Sequence, residues 1–233
     1  MKSQPLIIDP RYCGPPDSAN GGYISGMLGK LFTGTAEVTL RKPPPLGKEM
    51  QIIMDGTSHL HLMDGETLIA ESQTATLDLG SPPSPDYEEA VAASKKFSGF
   101  ENHAFPSCFV CGPQRAVGDG LRIFAGNVPG KSMVASPWTP DFELSDDNGK
   151  VHEEFIWAAL DCPGAFAAVE VYDPIVLGRF TTKILQPVMA GEPHIVIGWK
   201  EGEEGRKYYS GTAIYTADQK LCAIAKAIWI RLR

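Results

Sequence analysis

Two stretches of this 233-residue chain follow the same spaced pattern, and that constrains its fold more than any other feature. Leu40-x-x-Pro43-x-x-x-Gly47 returns as Ile184-x-x-Pro187-x-x-x-Gly191, and Leu68-Ile69-Ala70 returns as Leu221-Cys222-Ala223. Ahead of each proline pattern lies a helical stripe. In the first half it runs over residues 20–32, with apolar side chains at Tyr23, Ile24, Met27, Leu28 and Leu31 and a cap from Ser18 or Asn20. In the second half it runs over residues 153–169. Strands follow each helix: 36–42, 49–54, 57–63 and 67–79 in the first half, and 178–185, 194–200, 207–216 and 221–232 in the second. Two further short strands are expected at 121–124 and 132–136. Turns at Asp55-Gly56, Asp64-Gly65, Gly202 to Gly205 and Ala217 to Gln219 separate strands within each set. A repeat of this length implies duplication of one supersecondary unit.

The punctuation at Gly80-Ser81-Pro82-Pro83-Ser84-Pro85 divides the copies. The expected organisation is a first unit over 1–80, a linker over 81–100 that includes a short exposed helix at 87–96, and a second unit over 101–233. Hydrophobic residues make up 43% of the chain and charged residues 21%, enough apolar content to bury a sizeable core. The net charge is −7, which argues against a nucleic-acid partner, since that would need a basic face. Residues 1–10 lack a secretory signal, and no apolar run has the length of a membrane span. Five cysteines without an export signal read as free thiols, so a cytoplasmic location is expected.

The segments that carry chemistry open the two helices: Asn20-Gly21-Gly22-Tyr23-Ile24 in the first half and His152-Glu153-Glu154-Phe155-Ile156-Trp157-Ala158-Ala159-Leu160-Asp161 in the second. Here the chain resembles the hotdog thioesterases. In one branch of that family the central helix opens His-Gly-Gly and carries an acid nine positions after the histidine, the spacing of His152 and Asp161. Asn20-Gly21-Gly22 is similar to the opening used by acyl-CoA thioesterase-like double-hotdog proteins. Cys108-Phe109-Val110-Cys111-Gly112, followed by Gly120-Leu121, is similar to a stretch that opens many hotdog thioesterase chains. The resemblance implies an α+β tandem (double) hotdog, with two curled antiparallel sheets each wrapped around a central helix. It also implies hydrolysis of an acyl-CoA-type thioester, with the glycine turn coming from one unit and the acid from the other.

The chemistry fits those residue types. A thioester carbonyl under attack becomes an oxyanion, and free N–H groups at a helix start can hold it. A carboxylate on the other side activates water or attacks the carbon itself. The first half has Gly21-Gly22 but Gly29 where the acid is expected, and the second has Asp161 but Glu153-Glu154 where the glycines are expected. One composite site is therefore expected, with Asp161, Gly21 and Gly22 as catalytic groups. Asn20, Tyr23, Ile24, His152, Phe155 and Trp157 are expected to bind substrate. Pro163, two residues beyond Asp161, is expected to kink or break the helix.

No cofactor is expected, with coenzyme A entering only as part of the substrate. Cys108 and Cys111 have zinc-like spacing, and Cys162, His103 and His152 are available as further ligands. Two ligands do not close a structural site, however, so packed thiols and no metal are expected. Arg122, Arg179 and Lys183 are candidates for the phosphates of coenzyme A. The alternatives from other classes are a non-catalytic acyl-CoA or lipid-binding module and an enoyl-CoA hydratase built on Asp146, Asp147 and His152. Neither a G-x-S-x-G elbow nor a phosphate-binding glycine loop is present. Exposed edge strands leave a homodimer open.

Overall fold

The sequence repeat returns as a repeat of backbone hydrogen bonds in the computed structural model, which describes residues 2–56, 58–169 and 174–232. The amides of Arg41 and Lys42 donate to the Ile69 carbonyl (2.8 and 3.2 Å), and those of Leu185 and Gln186 donate to Cys222 (2.7 and 3.1 Å). Gly47 donates to Ile8 and Gly191 to Pro140, both at 2.8 Å. These two glycines have φ of +65° and +76°, a left-handed turn conformation that favours glycine. The lead-in to each helix also repeats. Asp9 caps the 3₁₀ turn Pro10–Tyr12 and Asp141 caps Phe142–Leu144. Asn20 N–H then donates to Tyr12 (2.8 Å), as His152 N–H does to Leu144 (2.9 Å).

The first unit contains β1 (Lys2–Ile7), α1 (Gly21–Gly29), β2 (Ala36–Leu40), β3 (Glu49–Asp55), β4 (His59–Asp64) and β5 (Thr67–Thr74). An intervening segment carries α2 (Tyr87–Ser94) and β6 (Gly126–Asn127). The second unit contains β7 (Val134–Trp138), α3 (Glu153–Ala168), β8 (Ile175–Ile184), β9 (His194–Glu204), β10 (Lys207–Thr216) and β11 (Leu221–Arg231). The strand order is β1-β3-β4-β5-β2-β8-β11-β10-β9-β7-β6, a palindrome of equivalent strands apart from the terminal β6. Two separate sheets were expected, but the strands form one antiparallel sheet of eleven, because β2 pairs directly with β8. Glu37 lies opposite its own repeat equivalent Thr181 in that pairing, as at a two-fold interface.

α1 and α3 cross the sheet side by side and antiparallel, and their contact explains the glycines of α1. A Cβ on Gly22 would lie 2.5 Å from Asp161 Cβ and 2.7 Å from the Trp157 carbonyl oxygen. On Gly26 it would lie 2.6 Å from Glu154 Cα, and on Gly29 2.4 Å from the Trp157 ring. Residues 22, 26 and 29 thus form one bare stripe that lets the two helices touch. α3 runs unbroken through Pro163, so the break that the proline could have caused does not occur. The proline leaves the Ala159 carbonyl without its helical donor, and the packing around it holds the turn.

The two halves are buried differently. α2 lies on the sheet face opposite α3, with Ala90 and Ala93 packed against Ala135, Ile195, Ile197 and Tyr215. The helix read as exposed is therefore half sunk. Sandwiched between α3 and α2, β9 is buried at every position from His194 to Trp199, whereas β3 alternates. The expected strand over 121–124 is absent as such. Leu121 and Ile123 instead donate to Phe109 and Val110 (2.8 and 2.9 Å), lacing this stretch to the Cys108–Cys111 loop. β1 lies in a stretch for which no strand was expected. Thr57, the first residue of one expected strand, lies outside the described residues.

Candidate functional site

Asp161 sits on the face of α3 that meets the start of α1, and it is 3% exposed. Its Oδ2 accepts from the Gly22 N–H (2.9 Å) and from Asn20 Nδ2 (2.8 Å), while its Oδ1 is buried with no partner among the described residues. Asn20 does two jobs that the sequence offers as alternatives or not at all. Its Oδ1 caps α1 by accepting from Tyr23 N–H (2.9 Å), and its amide nitrogen fixes the carboxylate. Burial pushes the Asp161 pKa up to about 7. The Gly22 and Asn20 donors pull it down, and the nearby Cys108 sulfur pushes it up.

A cavity of about 870 Å³ opens beside this pair. Asn20, Gly21, Asp161 and Cys162 form part of its wall, and Leu177 and Trp229 form another. The Gly21 N–H, at the first position of α1, has no partner among the described residues. It is therefore available to a ligand, whereas the Gly22 N–H is committed to Asp161. The two glycines have separate tasks. Gly21 is tight against Leu177, where a Cβ would approach to 2.8 Å, and Gly22 admits α3.

Several expected site residues lie elsewhere. Tyr23, Phe155 and Phe109 form an aromatic cluster with Tyr12, which stacks on Tyr23 at 4.2 Å. Ile24 is fully buried core, and Trp157 packs edge-on against Phe180 over Gly29. None of Tyr23, Ile24, Phe155 and Trp157 lines the cavity, because their helix faces point into the core. His152 is exposed at the start of α3, makes no side-chain cap and is likewise absent from the cavity wall. Asp146 accepts from the amides of Asn148 and Lys150, and among the described residues neither Asp146 nor Asp147 pairs with His152.

The phosphate candidates also differ from expectation. Arg122 lies over the Phe124 ring and donates to the Arg115 carbonyl, and Arg179 donates to Thr39 (3.1 Å). The cations on the cavity rim are Arg41 and Lys42, both exposed, in the variable positions of the first proline pattern. Nothing local in the sequence distinguishes them from other surface cations.

Behind Asp161 lie three buried thiols. The sulfurs of Cys108, Cys111 and Cys162 are within 4.8 Å of one another, and Cys108 and Cys162 are 3.7 Å apart. Donors converge on Cys108 from the Cys111 and Cys162 side chains and from the Cys111 and Val110 amides, which holds its pKa well below the usual thiol range. All five cysteines are free.

The mirror position, where the start of α3 meets the end of α1, is closed. The Trp157 ring fills the space over Gly29, Gly26 abuts the Glu154 backbone, and Lys30 Nζ pairs with Glu154 at 3.0 Å.

This arrangement, two antiparallel helices on one continuous sheet of duplicated units, is shared along its whole length with solved structures. A tesB protein from Mycobacterium avium subs paratuberculosis aligns with a TM-score of 0.66 at 10% identity, over 99% of this chain and 93% of that one. A conserved protein of unknown function with hot dog fold from Alicyclobacillus acidocaldarius aligns with a TM-score of 0.64 at 11% identity, over 100% and 94%. The fold is the hotdog fold. A further hotdog relative by structure is an acyl-CoA thioesterase II from Mycobacterium marinum, with a TM-score of 0.62 and 11% identity over 99% and 93%. No family model matches the chain, and no curated protein matches it. Among the described residues no helix is long and apolar enough to cross a membrane.

Proposed function

We propose that the chain hydrolyses an acyl-CoA-type thioester at one composite site, where the start of α1 faces Asp161 of α3. The observation that carries this reading is the meeting of Asp161 with Gly22 and Asn20 on the wall of the cavity, beside the unpaired Gly21 N–H. The name of the Mycobacterium marinum structure, an acyl-CoA thioesterase II with the same fold at 11% identity, lends support.

In this reading the roles divide by geometry. Gly22 N–H and Asn20 hold Oδ2, so Oδ1 is the oxygen that takes a proton from water or attacks the carbonyl carbon. Gly21 N–H receives the developing oxyanion with the positive end of α1 behind it. Collapse of the tetrahedral intermediate expels the coenzyme A thiolate. Leu177 and Trp229 offer apolar wall to the acyl group, and Arg41 and Lys42 on the rim meet phosphate charge. The reaction needs no redox cofactor. Five free thiols suit a reducing compartment, and we place the protein in the cytoplasm on that ground.

The test is a panel of acyl-CoAs with a thiol-detecting dye, run on the chain and on Asp161→Asn, which keeps the side-chain volume and an acceptor for Gly22. Thiol release that falls about 10²–10⁴-fold in the variant supports hydrolysis with Asp161 as base or nucleophile. Tight binding without release in either protein identifies a binding module. Hydration of crotonyl-CoA without thiol release identifies a hydratase.

A further inference from the structure

The sequence supplies two cysteines with metal-ligand spacing, and the fold brings a third to them. Cys108 and Cys111 come from the stretch between α2 and β6, and Cys162 comes from α3. Zinc–thiolate bonds of about 2.3 Å in a tetrahedron place the sulfurs roughly 3.8 Å apart. The Cys108–Cys162 separation is 3.7 Å, and all three sulfurs lie within 4.8 Å of one another. All three residues are buried, with 3%, 2% and 8% exposure, yet each borders the cavity.

The local backbone is shaped for this. Gly112 N–H donates to the Cys108 carbonyl at 2.9 Å, closing a tight turn that turns both thiols of the pair inward. A Cβ at 112 would lie 2.5 Å from that carbonyl oxygen and 2.6 Å from the one of Pro106, so only glycine fits. N–H donors surround the sulfurs. His103 Nδ1 accepts from the Phe105 amide (2.9 Å), which leaves the ring proton on Nε2, and Nε2 lies 3.2 Å from Cys111 Sγ. Asn20 Nδ2 lies 3.8 Å from Cys108 Sγ and 3.9 Å from Cys162 Sγ.

We propose that Cys108, Cys111 and Cys162 bind one zinc ion as thiolates, with His103 as a hydrogen-bond donor to Cys111 rather than a fourth ligand. The three thiol protons leave to solvent as the sulfur lone pairs bind the ion. Soft sulfur ligands select zinc over magnesium, calcium or manganese. A water from the cavity completes the tetrahedron, since the sulfurs stand on its wall. The ion ties the intervening segment to α3 next to Asp161. Three thiolates around a divalent ion carry one net negative charge, which the His103 and Asn20 donors offset.

The test uses the full chain purified under reductant without chelator, and none of its readouts involves a thioester. Elemental analysis should give about one zinc per chain, released in step with modification of three thiols by a mercurial reagent. Cobalt exchanged into the protein should show the intense sulfur-to-metal charge-transfer band of a thiolate site. Cys162→Ser should lose that band, while Cys13→Ser and Cys222→Ser should keep it. His103→Ala should keep the stoichiometry and weaken the affinity about 10–100-fold. If Cys162→Ser does not fold, zinc release from the unmodified chain decides the matter. The proposal is overturned if reduced protein takes up no stoichiometric zinc and gives no thiolate–cobalt band. It is equally overturned if fresh protein lacks zinc, its mass is lower by two hydrogens, and peptide mapping places the disulfide between Cys108 and Cys162.

Discussion

The two places where α1 and α3 exchange ends started as copies of one another and now differ in what fills them. At one, Asn20, Gly21 and the Asp161 carboxylate stand on a cavity wall. At the other, the indole of Trp157 occupies the space over Gly29, and Lys30 neutralises Glu154. The lesson concerns what a glycine is for. Gly22 and Gly29 belong to the same bare stripe, yet Gly22 brings a backbone donor to a carboxylate, while Gly29 merely makes room for a ring. A helix start becomes a site only when a donor, an acid and open volume coincide there.

The largest expected effect breaks the open end. Gly22→Ala would drive a Cβ into Asp161 Cβ, the Trp157 carbonyl and Ala158 Cα, two of which are backbone atoms that cannot swing aside. A loss of about 3 kcal/mol is expected, at the upper end for overpacking, as read by denaturant melts. Gly29→Ala meets only the Trp157 side chain, which can shift, so a loss of about 1 kcal/mol is expected in the same assay. Equal losses would remove the proposed difference between the two ends. Gly29→Asp should add no turnover to the thiol-release assay, because no glycine donor or cavity faces it. A doubling of turnover would show that the second end still has a site.

A smaller effect separates the two halves of the sheet. His194 in β9 occupies the place that Met50 occupies in β3, since Trp138 pairs with one as Leu6 pairs with the other. His194 is 1% exposed, and its Nε2 has no partner among the described residues. Burial holds its pKa below the ordinary value of 6.5. A folded-state pKa below the unfolded one means that the unfolded chain binds the extra proton. Stability from this group is therefore complete above about pH 6.5 and is lost as pH falls through that value. His194→Met, which restores the first-half residue, should flatten the acid side of the stability–pH curve. An unchanged curve would mean that the ring is not the group titrating there.

How much of this was legible in the sequence depends on the range of the interaction. The proline–glycine pattern and the helix openings were readable because each is fixed by local backbone needs, such as the left-handed turn at Gly47 and Gly191. The placing of Asp161 opposite the glycine opening followed from the family resemblance, and in the structure Gly22 N–H donates to the Asp161 carboxylate at 2.9 Å. The pocket walls were not readable. Tyr23 and Ile24 follow the site glycines in sequence but point elsewhere, because adjacent helix positions are about 100° apart, while Trp157, one turn before Asp161, packs over Gly29 and Phe155 joins the Tyr12 cluster. Nor was the role of residues 22, 26 and 29 as one stripe, which exists only because α3 lies against it. Cys162 was one of three further ligands the sequence offered to Cys108 and Cys111, and only the fold sets its sulfur beside Cys108.

The central claim is that one thioester carbonyl is gripped between the first free amide of α1 and the acid of α3. The most direct measurement is a crystal structure of the Asp161→Asn chain with an acyl-CoA analogue in which the thioester sulfur is replaced by a methylene group. The ketone oxygen is predicted to lie about 3 Å from the Gly21 nitrogen, with residue 161 facing the carbonyl carbon. An analogue whose carbonyl sits away from Gly21, or that binds outside this cavity, would contradict the account.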